Sequence, residues 1–338
     1  MKIDASLSDD IGVTQAEAAK IESDGYAGAW TSETKNDPFL QSLQAAMATD
    51  TITVGTAIAV AFARSPMTLA QAGWDLARYS EGRFVLGLGS QIKPHIERRF
   101  SMPWSAPAAR MRELILAIRA IWATWQDGAK LDFRGDFYSH TLMTPFFTPE
   151  PHPHGLPPVF LAGVGEKMTE TAGEVADGFF VHPFTTSRYL EQVTIPALLR
   201  GRAQAGKDDL DDFVINGPAF VTVGRTEEEL AVAIEGTKKR IAFYGSTPAY
   251  RQVLELHGWG DAQGELNTLS KQGRWDDMTE VITDEMLHEF SVVGTPAEVA
   301  PRLVEKVGKT YQRITFYYPY EADPAVWSEL LAAVNAAE

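Results

Sequence analysis

The sequence predicts an α/β protein built as a single (β/α)8 TIM barrel over residues 1–338. Short apolar segments of strand length alternate with amphipathic segments of helical period along nearly the whole chain, which is the pattern of a parallel sheet. The stretch Leu156–Phe184 contains one complete repeat, with an apolar run, a glycine turn, a helix and a second apolar run. Two such runs joined by a helix require parallel pairing with a right-handed crossover.

The strands are predicted from apolar runs with few charges. The third run, TITVGTAIAV, carries no charge at all, as expected for a strand covered on both faces. The eight expected strands are Lys2–Leu7, Gly28–Thr31, Thr51–Val60, Arg83–Gly89, Pro158–Ala162, Phe179–Val181, Phe213–Val223 and Arg313–Tyr318.

The helices are predicted from one apolar face at helical period and from start signals such as the pair Ser65-Pro66. A small hairpin outside the sheet is expected at Asp132–Ser139. The expected helices are Thr14–Ser23, Pro38–Thr49, Pro66–Ala77, Ala106–Trp125, the segment between Gly165 and Asp177, Thr186–Ala205, a helix starting at Thr226, Pro296–Val307 and Pro324–Ala336.

An unusually long region, Tyr244–Glu289, separates the last two predicted strands. Its composition is helical, with Tyr250, Trp259 and Trp275 as aromatic residues. We expect this helical insertion to pack over the barrel mouth as a lid or against a partner subunit in a homodimer.

Composition excludes several classes of function. The chain has 45 acidic and 30 basic residues, and its net charge of −15 disfavours nucleic-acid binding because a polyanion would be repelled. There is no cysteine, which rules out disulfides, thiolate metal sites and a cysteine nucleophile. The first residues are polar, and no apolar run approaches the roughly 20 residues of a membrane span. We therefore expect a cytoplasmic protein that binds neither nucleic acid nor membrane.

Candidate site residues follow the strands, because ligands of this architecture bind at the carboxyl ends of the strands. Glu33 and His182 could each transfer a proton, although Glu33 could equally be a helix cap and His182 a packed core histidine. The turn Ala162–Gly165 precedes a helix, and the free amides and dipole at the start of that helix suit a phosphate. The alternative is a tight turn that binds no ligand. His152 and His154 have no third ligand at a fixed spacing, so no metal site is predicted.

A basic cluster, Lys93, Arg98 and Arg99, lies just past the fourth strand. It is either a solvated helix face or a contact for an anionic cofactor tail. The motifs of serine hydrolases and zinc proteases are absent from the sequence, which favours cofactor or small-ligand chemistry.

Six blocks of sequence, in order and spanning almost the whole chain, resemble the luciferase-like monooxygenase superfamily and, within it, the actinobacterial F420-dependent oxidoreductases. The blocks are GAWTSE (28–33), GTAI (55–58), RFVLGLGS (83–90), PVFLAGVG (158–165), AGEVADG (172–178) and GTPAEV (294–299).

The resemblance implies a barrel that holds a flavin-like ring across its mouth. Ala57 and Ile58 match the place where the third strand bulges, often through a non-prolyl cis peptide, to support one face of the ring. The residues that match the positions holding the ribityl and phosphate part are Ser90, Gln91, Ala162, Gly163, Val164 and Gly165. Sugar-phosphate dehydrogenases of the family carry a histidine and a glutamate where this chain has Thr34 and Gln91-Ile92, so that acid–base pair does not transfer.

The expected function is that of an F420-dependent oxidoreductase, which moves a hydride between the deazaflavin C5 and a small organic substrate. Glu33 and His182 are the candidates for proton transfer. Two alternatives stay open: an FMN-dependent monooxygenase, and a flavin- or deazaflavin-binding barrel without catalytic turnover.

Overall fold

The computed structural model describes residues 1–337 of the chain. The described residues contain twelve strands. These strands are β1 (Lys2–Ser6), β2 (Gly28–Thr31), β3 (Thr53–Thr56), β4 (Ala59–Val60), β5 (Phe84–Gly89), β6 (Phe133–Arg134), β7 (Ser139–His140), β8 (Val159–Ala162), β9 (Gly178–Phe180), β10 (Val214–Val223), β11 (Ser291–Gly294) and β12 (Arg313–Tyr317).

The main sheet closes on itself. Its strand order is β10-β12-β1-β2-β3-β5-β8-β9, and β9 pairs again with β10. At the two closing positions, Lys2 N donates to Gln312 O (2.9 Å) and Val181 N donates to Asn216 O (2.8 Å). Along the order β1-β2-β3-β5-β8-β9 each strand pairs with the next in parallel, as β10 does with β12. The predicted (β/α)8 barrel is therefore confirmed.

Four short strands supplement the eight strands of the barrel. Strand β4 lies beside β5, and β11 pairs with the second half of β10. Strands β6 and β7 form a separate antiparallel hairpin, at the position where the sequence predicts one.

Helices follow most strands, and several begin at a side-chain cap. Asp37 caps α2 by accepting a hydrogen bond from Phe39 N, and Pro38 takes the first helical position, where no N–H is needed. The helices are α1 (Thr14–Ser23), α2 (Pro38–Met47), α3 (Pro66–Tyr79), α4 (Pro107–Asp127), α5 (Glu166–Val175), α6 (Ser187–Tyr189), α7 (Ile195–Gln204), α8 (Glu227–Gly245), α9 (Arg251–Glu255), α10 (Gly260–Lys271), α11 (Asp277–Val281), α12 (Asp284–Phe290), α13 (Pro296–Val307) and α14 (Pro324–Ala337).

Two elements differ from the sequence-based expectation. The apolar run Thr51–Val60 is not one strand, because Ala57 and Ile58 lie outside the ladder between β3 and β4. The single helix expected over Thr186–Ala205 consists of α6 and α7 joined by a π-helical turn at Leu190–Thr194. Apolar periodicity does not report either local change of backbone, since both segments keep the hydrophobic pattern of the regular element.

The chain divides into two compact units. The N-terminal unit comprises Asp4–Phe180 and Ala197–Val214, and the C-terminal unit comprises Met1–Ile3, Val181–Pro196 and the chain from Ile215 onwards. In the N-terminal unit, Trp30, Val85, Phe160 and Phe180 form a buried cluster.

The core of the C-terminal unit draws on the region predicted as an insertion. Helices α9 to α12 bury apolar side chains such as Leu266 and Met286 in one cluster with Phe220 of β10 and Ile241 of α8. Within residues 1–337, no helix is both long enough and apolar enough to span a membrane.

Candidate active site

Glu33 joins the end of β2 to the break between β3 and β4. Its residue exposure is 9 %, and its Oε2 atom accepts hydrogen bonds from Val60 N (2.6 Å) and from Arg64 Nη1 (2.6 Å). Its own backbone N donates to Ile58 O (3.2 Å). Glu33 thereby holds Ile58 and Val60, on the β4 side of the Ala57-Ile58 break, in place.

Arg64 extends this contact to the next helix. Its Nη2 atom lies 2.8 Å from Asp37 Oδ2, the carboxylate that also caps α2. Burial lowers the pKa of the Arg64 guanidinium, but the hydrogen bonds and charges of Glu33 and Asp37 raise it further, so that the net pKa is raised. The Glu33 carboxylate therefore faces a permanent cation.

The Ala57–Ile58 segment forms a partly exposed ledge at this edge of the N-terminal unit. The peptide bond between the two residues is cis, as the family resemblance implies. Both residues pack on the buried cluster of Trp30, Val85, Phe160 and Phe180. Gly89 makes the packing possible, because a Cβ at this position would lie 2.8 Å from Ile58 Cγ1. The ledge is apolar and is supported from below by aromatic rings.

Ser90 and Gln91 follow β5 directly and are both half-buried. Gln91 takes a left-handed backbone conformation with φ of 58°. Ser90 Oγ donates to Gln91 O (3.0 Å), and Gln91 Oε1 accepts from Ile92 N (2.9 Å). The turn is thus held by its own side chains.

The turn from Ala162 to Gly165 lies beside Ser90, because Ala162 pairs with Gly89 in the sheet. Val164 is 47 % exposed, and Gly165 has φ of +83° with nothing within 4 Å of the position of a Cβ. No side chain of the described residues caps α5, which begins at Glu166. The structure therefore brings together the two turns and the ledge predicted from the sequence, and leaves the amides at the start of α5 uncovered.

The acidic side chain at the start of α5 is held by a cation. Arg200 lies 2.7 Å from Glu166 Oε2 and 2.5 Å from Glu170 Oε1. This contact offsets the negative charge that would otherwise stand alone beside the helix N-terminus.

The basic cluster past β5 is largely solvent-exposed. It surrounds a π-helical turn at His95–Arg99. Arg99 Nη2 donates to Thr34 O (2.6 Å), and Lys93 lies 3.8 Å from Glu97. The cluster is anchored to the loop after β2 through Arg99.

His182 belongs to the C-terminal unit and is fixed on both ring nitrogens. Its Nδ1 atom accepts a hydrogen bond from Phe184 N (3.0 Å), and its Nε2 atom lies 3.0 Å from Tyr250 Oη. The two rings stack with centroids 4.4 Å apart and an interplanar angle of 24°. Burial lowers the pKa of His182 to about 4, so that the imidazole is neutral near pH 7.

Tyr250, the partner of His182, is indicated by the sequence only as an aromatic in the long helical region. Burial raises the pKa of its hydroxyl, which therefore stays protonated near pH 7. Tyr244 and Tyr317 form a second hydroxyl pair in the same unit at 2.7 Å. No local motif marks these tyrosines, because their partners lie 68 and 73 residues away in the sequence.

His152 and His154 do not form a metal arm. Their ring centroids are 5.7 Å apart, and His152 packs on Trp74 with both ring nitrogens buried and unpaired. Residues 1–337 contain no group of three or more histidine, cysteine, aspartate or glutamate side chains arranged to hold a metal ion.

Comparison with known proteins agrees with this geometry. The family model described as luciferase-like monooxygenase matches residues 4–313. An uncharacterized protein of Mycobacterium tuberculosis is 52 % identical over 93 % of this chain and 92 % of its own length. The 5,10-methylenetetrahydromethanopterin reductase of Archaeoglobus fulgidus is 29 % identical over 86 % of this chain and 85 % of its own.

Among solved structures, the coenzyme F420-dependent tetrahydromethanopterin reductase of Methanopyrus kandleri superposes with a TM-score of 0.76 at 20 % identity. This match covers 98 % of this chain and 97 % of the other. The fold and the extent of the family match agree with the sequence-based resemblance. The chain belongs to the luciferase-like monooxygenase family.

Proposed function

We propose that the protein is an F420-dependent oxidoreductase that transfers a hydride between C5 of the deazaflavin and a small organic substrate. The observation that carries the proposal is the grouping of an apolar ledge (Ala57, Ile58), a polar turn (Ser90, Gln91) and an uncovered helix N-terminus (Ala162–Gly165) at one edge of the N-terminal unit. The reductase names of two similar proteins support it.

The residues present fit such a cofactor. The apolar ledge suits the face of a planar ring. The amides after Gly165 and the positive end of the α5 dipole suit a phosphodiester, and Arg200 restrains the nearby Glu166 carboxylate. When bound, F420 supplies the hydride chemistry, and the protein supplies position and electrostatics.

Lys93, Arg98 and Arg99 suit the remaining charge of this cofactor. F420 carries carboxylates beyond its phosphodiester, whereas FMN ends at a phosphate. An exposed basic cluster in a chain of net charge −15 offers a local attraction for those carboxylates. This favours F420 over FMN.

We assign different roles to the two residues considered for proton transfer. Glu33 is bound to Arg64 and Val60, so we propose that it positions the ledge instead of transferring a proton. His182 is neutral and bonded to Tyr250, and we propose that it takes part in proton handling.

We also propose that the protein is a homodimer. Leu142, Phe146 and Phe147 are 78 %, 89 % and 71 % exposed, and such apolar residues in one short segment suit association. Sedimentation velocity of the wild-type protein and of a variant with Phe146→Ser and Phe147→Ser tests this, and a wild-type monomer at micromolar concentration would refute it.

Cofactor choice is tested by titrating the apoprotein separately with F420 and FMN while following ligand fluorescence. We expect saturable F420 binding that is tighter than FMN binding, and F420H2 oxidation with at least one member of a panel of ketones, quinones and enals. Tighter FMN binding with oxygen-dependent turnover would favour a monooxygenase. Binding of F420 without hydride exchange would favour a carrier.

A further inference from the structure

The C-terminal unit contains a cavity of its own. Its volume is about 30 Å³, and it is partly open to solvent. All of its lining residues belong to this unit, whereas Ala57, Ser90 and Gly165 of the proposed cofactor site belong to the N-terminal unit. One water molecule needs roughly 10–15 Å³ of such space, so the cavity has room for about two water-sized groups. The lining residues that matter here are Thr185, Pro218, Phe220, Leu303, Lys306 and Tyr311.

Lys306 brings a positive charge to this cavity. It is half-buried, and its Nζ atom donates to His288 O (3.0 Å) and Glu289 O (2.6 Å) in the last turn of α12. An ammonium group has three N–H donors, so one donor remains available. Burial lowers the pKa of Lys306 to about 8, opposed by the charge of Glu289 and aided by that of Arg302, so the ammonium form prevails near pH 7. Within residues 1–337, no carboxylate forms an ion pair with Lys306.

Two hydroxyl groups of the cavity residues have no hydrogen-bond partner among the described residues. Thr185 Oγ1 is buried and unpaired, in a tight turn in which Thr185 N donates to Pro183 O (2.9 Å). Tyr311 is only 7 % exposed, and no described residue bonds to its hydroxyl. Burial raises the pKa of Tyr311, so the phenol stays protonated and can donate. Because a buried hydroxyl without a partner is unfavourable, both groups favour a polar ligand.

The rest of the cavity wall is mainly apolar. Pro218 and Phe220 belong to β10, and Leu303 belongs to α13. The Tyr311 ring packs directly on the backbone of β10, since a Cβ at Gly217 would lie 2.9 Å from Tyr311 Cε1. This contact fixes the ring that carries the unpaired hydroxyl. A few polar groups in an apolar wall are typical of a small-molecule site.

We propose that this cavity binds the carboxylate group of a small monocarboxylic acid of about the size of acetate. The two carboxylate oxygens match the space for two water-sized groups, and they can accept from Lys306, Thr185 and Tyr311. The negative charge pairs with an ammonium group that otherwise bonds only to neutral carbonyl groups. The alkyl group of the acid lies against Pro218 and Leu303. The bound acid joins the turn after β9 to α13 and thereby stabilises the C-terminal unit.

Saturation-transfer NMR of the full-length protein with sodium acetate tests the proposal, with sodium chloride keeping the ionic strength constant. We expect saturable binding with a Kd on the order of 1 mM, as suits a ligand of about four non-hydrogen atoms. Absence of saturable binding up to about 100 mM acetate, roughly a hundred times this Kd, would overturn the proposal. Displacement of acetate by an equal concentration of chloride would reject a carboxylate site in favour of an inorganic anion.

Two variants locate the binding. Tyr311→Phe removes a hydroxyl that bonds to no described residue, so we expect normal folding and acetate binding about 10- to 100-fold weaker, the range for a hydrogen bond to a charged group. Lys306→Met should abolish saturable binding. Lys309→Met, which removes an exposed lysine just after α13, is the matched control and should bind acetate as wild type does. An unchanged Kd in Tyr311→Phe would contradict the proposal, even if Lys306→Met fails to fold.

Carbon-13 labelling at tyrosine Cζ gives a readout at the site itself. The Tyr311 signal, assigned by its loss in Tyr311→Phe, should shift with acetate and yield the same Kd as the ligand signal. The urea midpoint should rise with acetate in wild type and much less in Tyr311→Phe. A Tyr311 signal that ignores acetate would show that the acid binds elsewhere. None of these measurements uses F420, so their outcome is independent of the proposed function.

Discussion

The Arg64 guanidinium lies 2.6 Å from the Glu33 carboxylate, and the two side chains are only 17 % and 5 % exposed. Because Glu33 also accepts from Val60 N, this one ion pair connects the end of β2, the Ala57–Ile58 ledge and the start of α2. A contact of this kind affects both stability and the shape of the proposed cofactor site.

We expect Glu33→Gln to destabilise the protein by about 1–3 kcal/mol, since it keeps an acceptor for Val60 N but removes the charge that faces a mostly buried guanidinium. Asp37→Asn is the control. It keeps the helix cap and removes a carboxylate that is 43 % exposed, so we expect less than about 1 kcal/mol. Urea unfolding of both variants measures the difference, and equal losses would contradict the argument.

Arg200→Ala should weaken F420 binding by about 3- to 10-fold, because it frees the Glu166 carboxylate beside the uncovered start of α5, where charge effects reach about 1 kcal/mol. Arg112→Ala is a matched control, since Arg112 pairs with Glu174 toward the other end of α5. Fluorescence titration at low and high salt should show the effect of Arg200 shrinking with salt. An equal loss of F420 affinity in Arg200→Ala and Arg112→Ala would exclude a specific role for Arg200.

Reversing charge in the basic cluster with Lys93→Glu and Arg98→Glu should weaken F420 binding more than FMN binding, because only F420 has carboxylates beyond its phosphate group. The difference should decrease as salt rises. Lys130→Glu, an exposed lysine after α4, makes the same kind of charge change outside the cluster and should leave both affinities near wild type. Equal losses of affinity for F420 and FMN would mean that the carboxylates of F420 do not bind at this basic cluster.

Stability should fall with acidification partly through His182. Its pKa is about 4 in the folded protein and near 6.5 when unfolded, so below pH 6.5 the unfolded chain binds a proton that the folded chain does not. The loss of this contribution to stability begins near pH 6.5 and is complete below pH 4. His182→Gln should flatten this part of the curve relative to wild type. His140, His152 and His257 also have lowered pKa values, so the difference between the two curves is the quantity to measure by urea unfolding.

The sequence was sufficient to predict the barrel because each crossover repeats the same local pattern. Strands such as Gly28–Thr31 and helices such as Thr14–Ser23 have the predicted bounds, since an apolar run and its capping residues are adjacent in the chain. The break at Ala57–Ile58 came from the family resemblance and not from the apolar pattern, which continues through it. The π-helical turn at Leu190–Thr194 was missed for the same reason.

The candidate site residues also fall into two groups: those that their place in the sequence indicates, and those whose contacts the sequence does not show. Ser90, directly after β5, and Gly165, in the turn after β8, were predicted as site residues because of these positions. The contacts that define what Glu33 and His182 do were not predictable, because Arg64 and Tyr250 lie 31 and 68 residues away. The position of Glu33 or His182 after a strand does not by itself reveal the charge beside Glu33 or the tautomer of His182.

Tyr250 and Tyr244 pack on the apolar cluster around Leu266, Met286 and Phe220. Substitutions in α9 to α12 that reshape the surroundings of Tyr250 will therefore also disturb the interior of the C-terminal unit. Any such change is best paired with a stabilising one elsewhere, since the surroundings of Tyr250 and the thermal tolerance of the unit depend on the same few helices.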